Sequence, residues 1–256
     1  TGQVFNLVTA DGGSTWYGYE EVNNDSSQPH TLFAWGGNGY AQLGQNNKTD
    51  YSSPTQIPGT NWNTVNNTGS EYYASTAIKT DGTLWMWGNN YYGTLGQNSQ
   101  TYYSSPVQVP GTTWSTNIEK LGSGYSCSLA IKTDGTLWGW GDNGQGALGV
   151  NDKARHSSPI QVPGTTWKFI DNSGFSTLAI KTDGTLWTWG VNGWGILGLN
   201  TPYNIKYSSP VQVPGTTWKA GSVGADHMAA TKTDGTLWIW GVNQYGELGQ
   251  NNTTHR

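Results

Sequence analysis

Residues 128–149 read SLAIKTDGTLWGWGDNGQGALG, and the reading of this stretch decides the fold. Residues 128–133 alternate and are rich in strand formers, as a half-buried strand requires. Asp134-Gly135 supplies the left-handed two-residue turn of a tight hairpin. Residues 136–140 return as a second strand, where Trp138 and Trp140 stand two apart and share a face. Residues 141–149 form a loop punctuated by Gly and Asn and anchored by Leu148.

The same sentence recurs along the chain. Trp-Gly-x-Asn-x-x-(Gly/Ala)-x-Leu-Gly occupies residues 35–44, 87–96, 140–149, 189–198 and 240–249. Four copies follow Lys-Thr-Asp-Gly-Thr-Leu-Trp, and four precede Ser-Ser-Pro-x-Gln-(Val/Ile)-Pro-Gly-Thr-(Thr/Asn)-Trp. Two prolines four apart place that last segment on an edge strand, because proline donates nothing to a ladder. Each unit is then three or four short antiparallel strands. A period of about 50 residues marks small units that bury their faces only against neighbours. Hairpin-built units of this size stack radially, so the expected fold is an all-β propeller of five blades in a single domain, residues 1–256. A β-solenoid prefers shorter coils and parallel strands.

The ends point to closure. Copy five stops at His255-Arg256, where its Ser-Ser-Pro strand would begin. Residues 4–8 (VFNLV) look strand-like, and Gly13-Ser14-Thr15-Trp16 echoes Gly-Thr-Thr-Trp. The N-terminal strand is therefore expected to complete the last blade and leave no free edge. Copy one is degenerate: residues 17–24 replace the Ala-Ile-Lys-Thr strand, and residues 23–29 form a longer loop.

Composition excludes several roles. Charged residues make up 11% of the chain, the net charge is −4, and Arg155 and Arg256 are the two arginines. That is a poor footprint for nucleic acid or an anionic membrane. Apolar runs fall short of membrane-spanning length, so no membrane insertion is expected. Cys127 is alone, which leaves the redox compartment open.

The motif WGxNxxGxLG, preceded by AIKTDGTLW, resembles the repeat of the regulator of chromosome condensation family over about residues 30–256. The resemblance implies a β-propeller, in that family usually of seven blades, so five is a departure. A Gly-x-x-His-x-x-Ala element often opens the family's repeat. Here residues 224–230 match it fully, while Ala74, Cys127 and Ser176 stand at the histidine position of other copies. The resemblance implies no single activity, since members exchange nucleotide on a small GTPase, dock on chromatin, sense ultraviolet light or inhibit β-lactamases. The wedge insertion of exchange factors and the arginines of chromatin-docking and light-sensing members have no counterpart here. The low-charge texture rich in Asn, Thr, Gly and Tyr looks more like bacterial and phage versions, in a virion or cell-surface setting.

Fourteen of the fifteen tryptophans fall in three registers, and packing between blades explains them. Trp35, Trp87, Trp140, Trp189 and Trp240 form one; Trp85, Trp138, Trp187 and Trp238 a second; Trp16, Trp62, Trp114, Trp167 and Trp218 a third. Trp194 stands apart, in the Asn-x-x-Gly loop where other copies have Tyr40, Tyr92, Gln145 and Tyr245. Tyr40, Tyr92, Trp194 and Tyr245 are the expected binding residues, a ring of aromatics on one face for a protein partner or a glycan. A second set, Tyr51, Tyr103, His156 and Tyr207, fits blade capping as well as binding. The four histidines lack metal spacing, and Asp81, Asp134, Asp183 and Asp234 are accounted for by Asp-Gly turn chemistry. Lys79, Lys132, Lys181 and Lys232 beside those turns are expected as a solvated fringe. Neither a catalytic constellation nor a cofactor motif emerges. The expected role is a non-catalytic interaction or structural module, with a carbohydrate-binding propeller as the nearest alternative and a protein inhibitor or nucleotide-exchange factor further off.

Overall fold

The computed structural model describes residues 5–9, 15–20, 30–67 and 74–255. Among the described residues nineteen strands make five antiparallel sheets, each running outward in chain order. The first holds β1 (Phe5–Thr9), β2 (Thr15–Glu20), β3 (Leu32–Gly36) and β4 (Tyr51–Gln56). The second holds β5 (Trp62–Asn67), β6 (Ala74–Lys79), β7 (Leu84–Gly88) and β8 (Tyr103–Gln108). In the third are β9 (Leu121–Ser123), β10 (Cys127–Ile131), β11 (Leu137–Gly141) and β12 (His156–Gln161). The fourth has β13 (Trp167–Asn172), β14 (Ser176–Lys181), β15 (Leu186–Val191) and β16 (Lys206–Val213). β17 (Trp218–Val223), β18 (His227–Lys232) and β19 (Leu237–Gly241) form the fifth. The first strands β1, β5, β9, β13 and β17 neighbour one another in series, as blades around a centre do. The architecture is an all-β propeller of five sheets.

One expectation is corrected. The N-terminal strand does not complete the last blade: β1 pairs with β2, and β2 with β3, inside the first sheet. Trp16 lies opposite Trp35 on β2, not in the register of Trp62, which lies opposite Lys79. Pairing β1 with its immediate successor closes a short loop, which costs less entropy than reaching across a ring. Residues 23–29 fall outside the described residues.

The core lies between sheets. Each of its four apolar clusters takes Leu and Val or Ile side chains from one sheet and tryptophans from the next, as when Leu137, Leu148 and Val162 pack with Trp167 and Trp189. The buried indoles of Trp87, Trp140, Trp189 and Trp240 each donate to a main-chain carbonyl of the preceding sheet, at Gln42, Thr94, Ala147 and Ile196, over 2.7–2.8 Å. The glycine that closes the preceding motif must be glycine: a Cβ at Gly44, Gly96, Gly149 or Gly198 would lie 2.6–3.2 Å from that indole nitrogen.

The lysines are not a solvated fringe. The ammonium groups of Lys79, Lys132, Lys181 and Lys232 lie 4.6–4.9 Å from Trp62, Trp114, Trp167 and Trp218, and 4.4 Å from Trp85, Trp138, Trp187 and Trp238. Each lysine sits directly across the ladder from its first tryptophan, so the hairpin itself delivers the cation to two ring faces.

The last sheet shows what a neighbour contributes. Leu84, Leu137 and Leu186 are fully buried, whereas Leu237, at the same repeat position, is 68% exposed. Leu137→Ala is therefore expected to cost about 2–5 kcal/mol of stability. Leu237→Ala should change it by no more than about 0.5 kcal/mol, and denaturant unfolding of the two variants measures the difference.

Candidate functional site

The loop that carries the candidate aromatics is organised by its asparagine. Asn38, Asn90, Asn143, Asn192 and Asn243 are buried, and each carboxamide oxygen accepts from the main-chain N–H of the motif leucine at 2.9–3.0 Å. The amide nitrogen donates outward to the next stretch of loop, as from Asn143 to Asp152 O and from Asn90 to Ser99 O and Thr101 O. The residue two before the motif leucine adopts a left-handed turn: Gly93, Gly146, Gly195 and Gly246 have φ of 75–86°, and Ala41 takes the same place at 66°. One side chain thus pins both halves of the loop and leaves the two variable positions on its outer curve.

Tyr40, Trp194 and Tyr245 are exposed by 42%, 54% and 84%, and Tyr92 is half-buried. Main-chain N–H groups of Tyr40 and Tyr245 donate to Gln42 and Glu247 side chains two residues on, at 3.0 and 2.8 Å. Tyr92 lies beneath Arg155 at 5.0 Å and edge-on to Tyr91 at 4.9 Å, and Tyr91 is itself 58% exposed. Trp194 meets Tyr203 and His255, with ring centroids 5.8 and 5.2 Å away. Its backbone is left-handed (φ 56°, ψ 26°), a conformation that costs a bulky side chain about 1–2 kcal/mol. Gln145, at the equivalent position, borders a hollow of 280 Å³ with Phe175, Val191 and Asp226. Tyr91, Tyr203 and the Tyr125–Phe175 pair add aromatic surface that the repeat register does not single out, because they occupy positions that vary from copy to copy.

The second set caps loops. Tyr51 accepts from Asn47 Nδ2 at 2.9 Å, Tyr207 donates to Thr201 at 3.2 Å, and His156 contacts Asp152 at 3.1 Å. Tyr51, Tyr103, His156 and Tyr207 all lie across the ladder from the glycine of Trp-Gly, whose φ there is 99–107°. Cys127 is buried against Asn172; burial, then the Asp142 charge, pushes its thiol up to about 12, opposed by the Asn172 contact. Such a thiol is inert in the folded chain. Among the described residues, no group of three His, Cys, Asp or Glu side chains is placed to hold a metal.

The turn aspartates are fixed by chemistry one step removed from the tryptophans. Asp81 Oδ1 accepts from the hydroxyl and main-chain N–H of Thr83, whose oxygen accepts from Trp85 Nε1 at 2.8 Å. The same relay recurs at Asp134, Asp183 and Asp234.

This repeat has known relatives. The regulator of chromosome condensation (RCC1) repeat is recognised over residues 30–66, 81–131, 134–172 and 183–231, and a second form of it over 118–147 and 218–247. The chain belongs to the RCC1 repeat family. It is 27% identical over 231 residues to the ultraviolet-B receptor UVR8 of Arabidopsis thaliana, covering 86% of this chain and 51% of the receptor. It is 34% identical over 235 residues to the X-linked retinitis pigmentosa GTPase regulator of Canis lupus familiaris, covering 85% of this chain and 22% of that protein. The chain thus spans about half or less of the curated relatives it matches. Human WBSCR16 superposes with a TM-score of 0.77 at 21% identity, over 98% of this chain and 66% of that one. Prp20p of Saccharomyces cerevisiae, described with its binding to Gsp1p and histones, gives 0.76 at 18%, over 98% and 60%.

Two outcomes follow from the loop and turn chemistry. Asn143→Ala, which strands the Leu148 N–H and the Asp152 carbonyl, should cost about 1–3 kcal/mol in denaturant unfolding. The Thr83 and Thr136 hydrogen bonds hold the Asp81 and Asp134 carboxyls below their ordinary 3.8. Their stabilisation is complete above that value and is lost as pH falls through the lower folded midpoint. Carboxyl NMR titration should place both midpoints below 3.8.

Proposed function

We propose that this propeller is a non-catalytic interaction module that engages a protein partner through the outer-curve aromatics Tyr40, Tyr92, Trp194 and Tyr245. The observation that carries the reading is Trp194. An indole in the left-handed region, half in solvent, is a poor choice for stability alone. Large amphipathic rings are the side chains from which protein-binding surfaces draw most of their energy. The relatives lend support in kind: Prp20p is described as binding Gsp1p and histones, and a GTPase regulator and a light receptor carry the same repeat. The low charge and Asn-, Thr- and Gly-rich surface fit a bacterial or phage surface or virion setting.

Glycan binding is the second reading. It is favoured by the exposed ring of Trp194 on a loop, residues 190–205, that contains no Asp, Glu, Lys or Arg, since sugar faces stack on such rings without an ionic partner.

The combined Trp194→Ala and Tyr245→Ala variant separates these readings from a purely architectural one. Partner capture from the native source, or signal on a glycan array, should fall at least about tenfold while the melting temperature stays within a few degrees. An equal loss of melting temperature and binding would return the rings to the fold, and unchanged binding would remove them from the site.

A further inference from the structure

At the junction of the third and fourth sheets the packing leaves one strong donor unused, the Lys181 ammonium. Its Nζ lies 4.7 Å from the Trp167 ring and 4.4 Å from the Trp187 ring. The two rings stand nearly perpendicular, at 79° with centroids 6.2 Å apart, so the ammonium sits in their corner. Gly164, left-handed at φ 96°, brings the main chain in close: a Cβ there would lie 3.4 Å from Lys181 Nζ. Among the described residues no carboxylate pairs with this ammonium and no oxygen accepts from it. Asp183, two residues on, commits its Oδ1 to the N–H and hydroxyl of Thr185. Ring faces attract a cation but offer it no hydrogen-bond acceptor, so the ammonium donors stay unfilled within the protein.

The corner opens on a hollow of 320 Å³. Small-molecule clefts run from roughly 300 to 1,000 Å³. Pro163, Trp187 and Pro210 give it an apolar wall, and Lys181, Asn151 and Ser209 its polar groups. Both parts are fixed in advance. The Trp187 indole N–H donates to Thr185 at 2.9 Å, which holds the ring in place. Ser209 Oγ donates to Asn151 Oδ1 at 3.0 Å, which orients the carboxamide and leaves its Nδ2 group as a donor. The hollow thus presents a cation and an amide donor beside an aromatic ring.

We propose that this hollow binds a carboxylated pyranose, a hexuronic acid unit of a glycan. The sugar carboxylate accepts from the Lys181 ammonium and Asn151 Nδ2, in charge-assisted hydrogen bonds that the protein itself leaves unmade. The C–H face of the ring packs on Trp187 and the two prolines. Ser209 Oγ, its own proton turned to Asn151, accepts from a ring hydroxyl. A small aliphatic acid would leave Trp187 uncovered, and a neutral sugar would leave the ammonium unpaired. The hollow shares no lining residue with Tyr40, Tyr92, Trp194 and Tyr245, so the proposal does not rest on their role.

The test is a ¹H–¹⁵N NMR titration of the tryptophan indoles of the 256-residue chain with D-glucuronate, D-glucose and acetate. Glucuronate should shift the Trp187 resonance saturably, with glucose and acetate each binding at least about tenfold more weakly. Lys181→Gln should weaken the Trp187 response to glucuronate by at least about the same factor. Asn151→Asp leaves the lysine and its two rings in place, suits the left-handed backbone there and sets a carboxylate against the ligand's own. It should also weaken glucuronate at least about tenfold, with the melting temperature held within a few degrees, and it carries the test if Lys181→Gln does not fold. A Trp187 resonance that does not respond, an equal response to glucose or to acetate, or undiminished binding by Asn151→Asp would overturn the proposal.

Discussion

The structure depends on one clasp: the indole N–H groups of Trp87, Trp140, Trp189 and Trp240 each donate to a carbonyl of the sheet before. The bond is buried, and a glycine beneath the ring admits it at a distance no Cβ would allow. A neutral hydrogen bond contributes only about 1 kcal/mol net. Here it also fixes the spacing at which Leu, Val and a second tryptophan close the cluster around it. Cooperativity in this chain is therefore passed from sheet to sheet, as in other repeat architectures. An isolated sheet would expose one face of every indole it carries.

A clasp of this kind needs a neighbour, and the fifth sheet shows the consequence. Trp240 and Trp218 are buried because the fourth sheet covers them, while Leu237 on the opposite face is in solvent. At Gly235, Gly246 and Gly249 nothing lies within 4 Å of an added Cβ, although the matching glycines of earlier sheets touch the next sheet. The Trp62, Trp114, Trp167 and Trp218 indole N–H groups have no hydrogen-bond partner among the described residues, but each ring receives a lysine ammonium on its face. Ring-face electrostatics holds these indoles where a conventional acceptor is missing.

With burial assigned to repeated positions, variation is concentrated on the outer curve of the loops. The buried asparagine makes that confinement possible, because it fixes the loop from inside and asks nothing of the residues outside. Tyr40, Trp194 and Tyr245 can then differ in ring and exposure on a constant frame. Recognition on such scaffolds resides in loops for this reason.

Much of this was legible in the residues. The Asp-Gly hairpins, the proline-marked outer strand and the tryptophan registers follow from local periodicity and turn chemistry, which are properties of short windows. Trp194 stood out for breaking a register, though the two rings it meets could not be read from spacing. The lysines read as solvated from their place beside the turns, while their position across the ladder from a tryptophan is a pairing between strands. The N-terminal strand was misplaced because its apolar pattern fits an inner strand of one sheet as well as an outer strand of another. The sequence by itself determined what each unit is: its strands, its turns and the residues it must bury. Only the tertiary structure decided which sheet the N-terminal strand joins and which rings each lysine meets, because those outcomes depend on neighbours brought together in space, and near-identical repeats carry no mark of their position in the series.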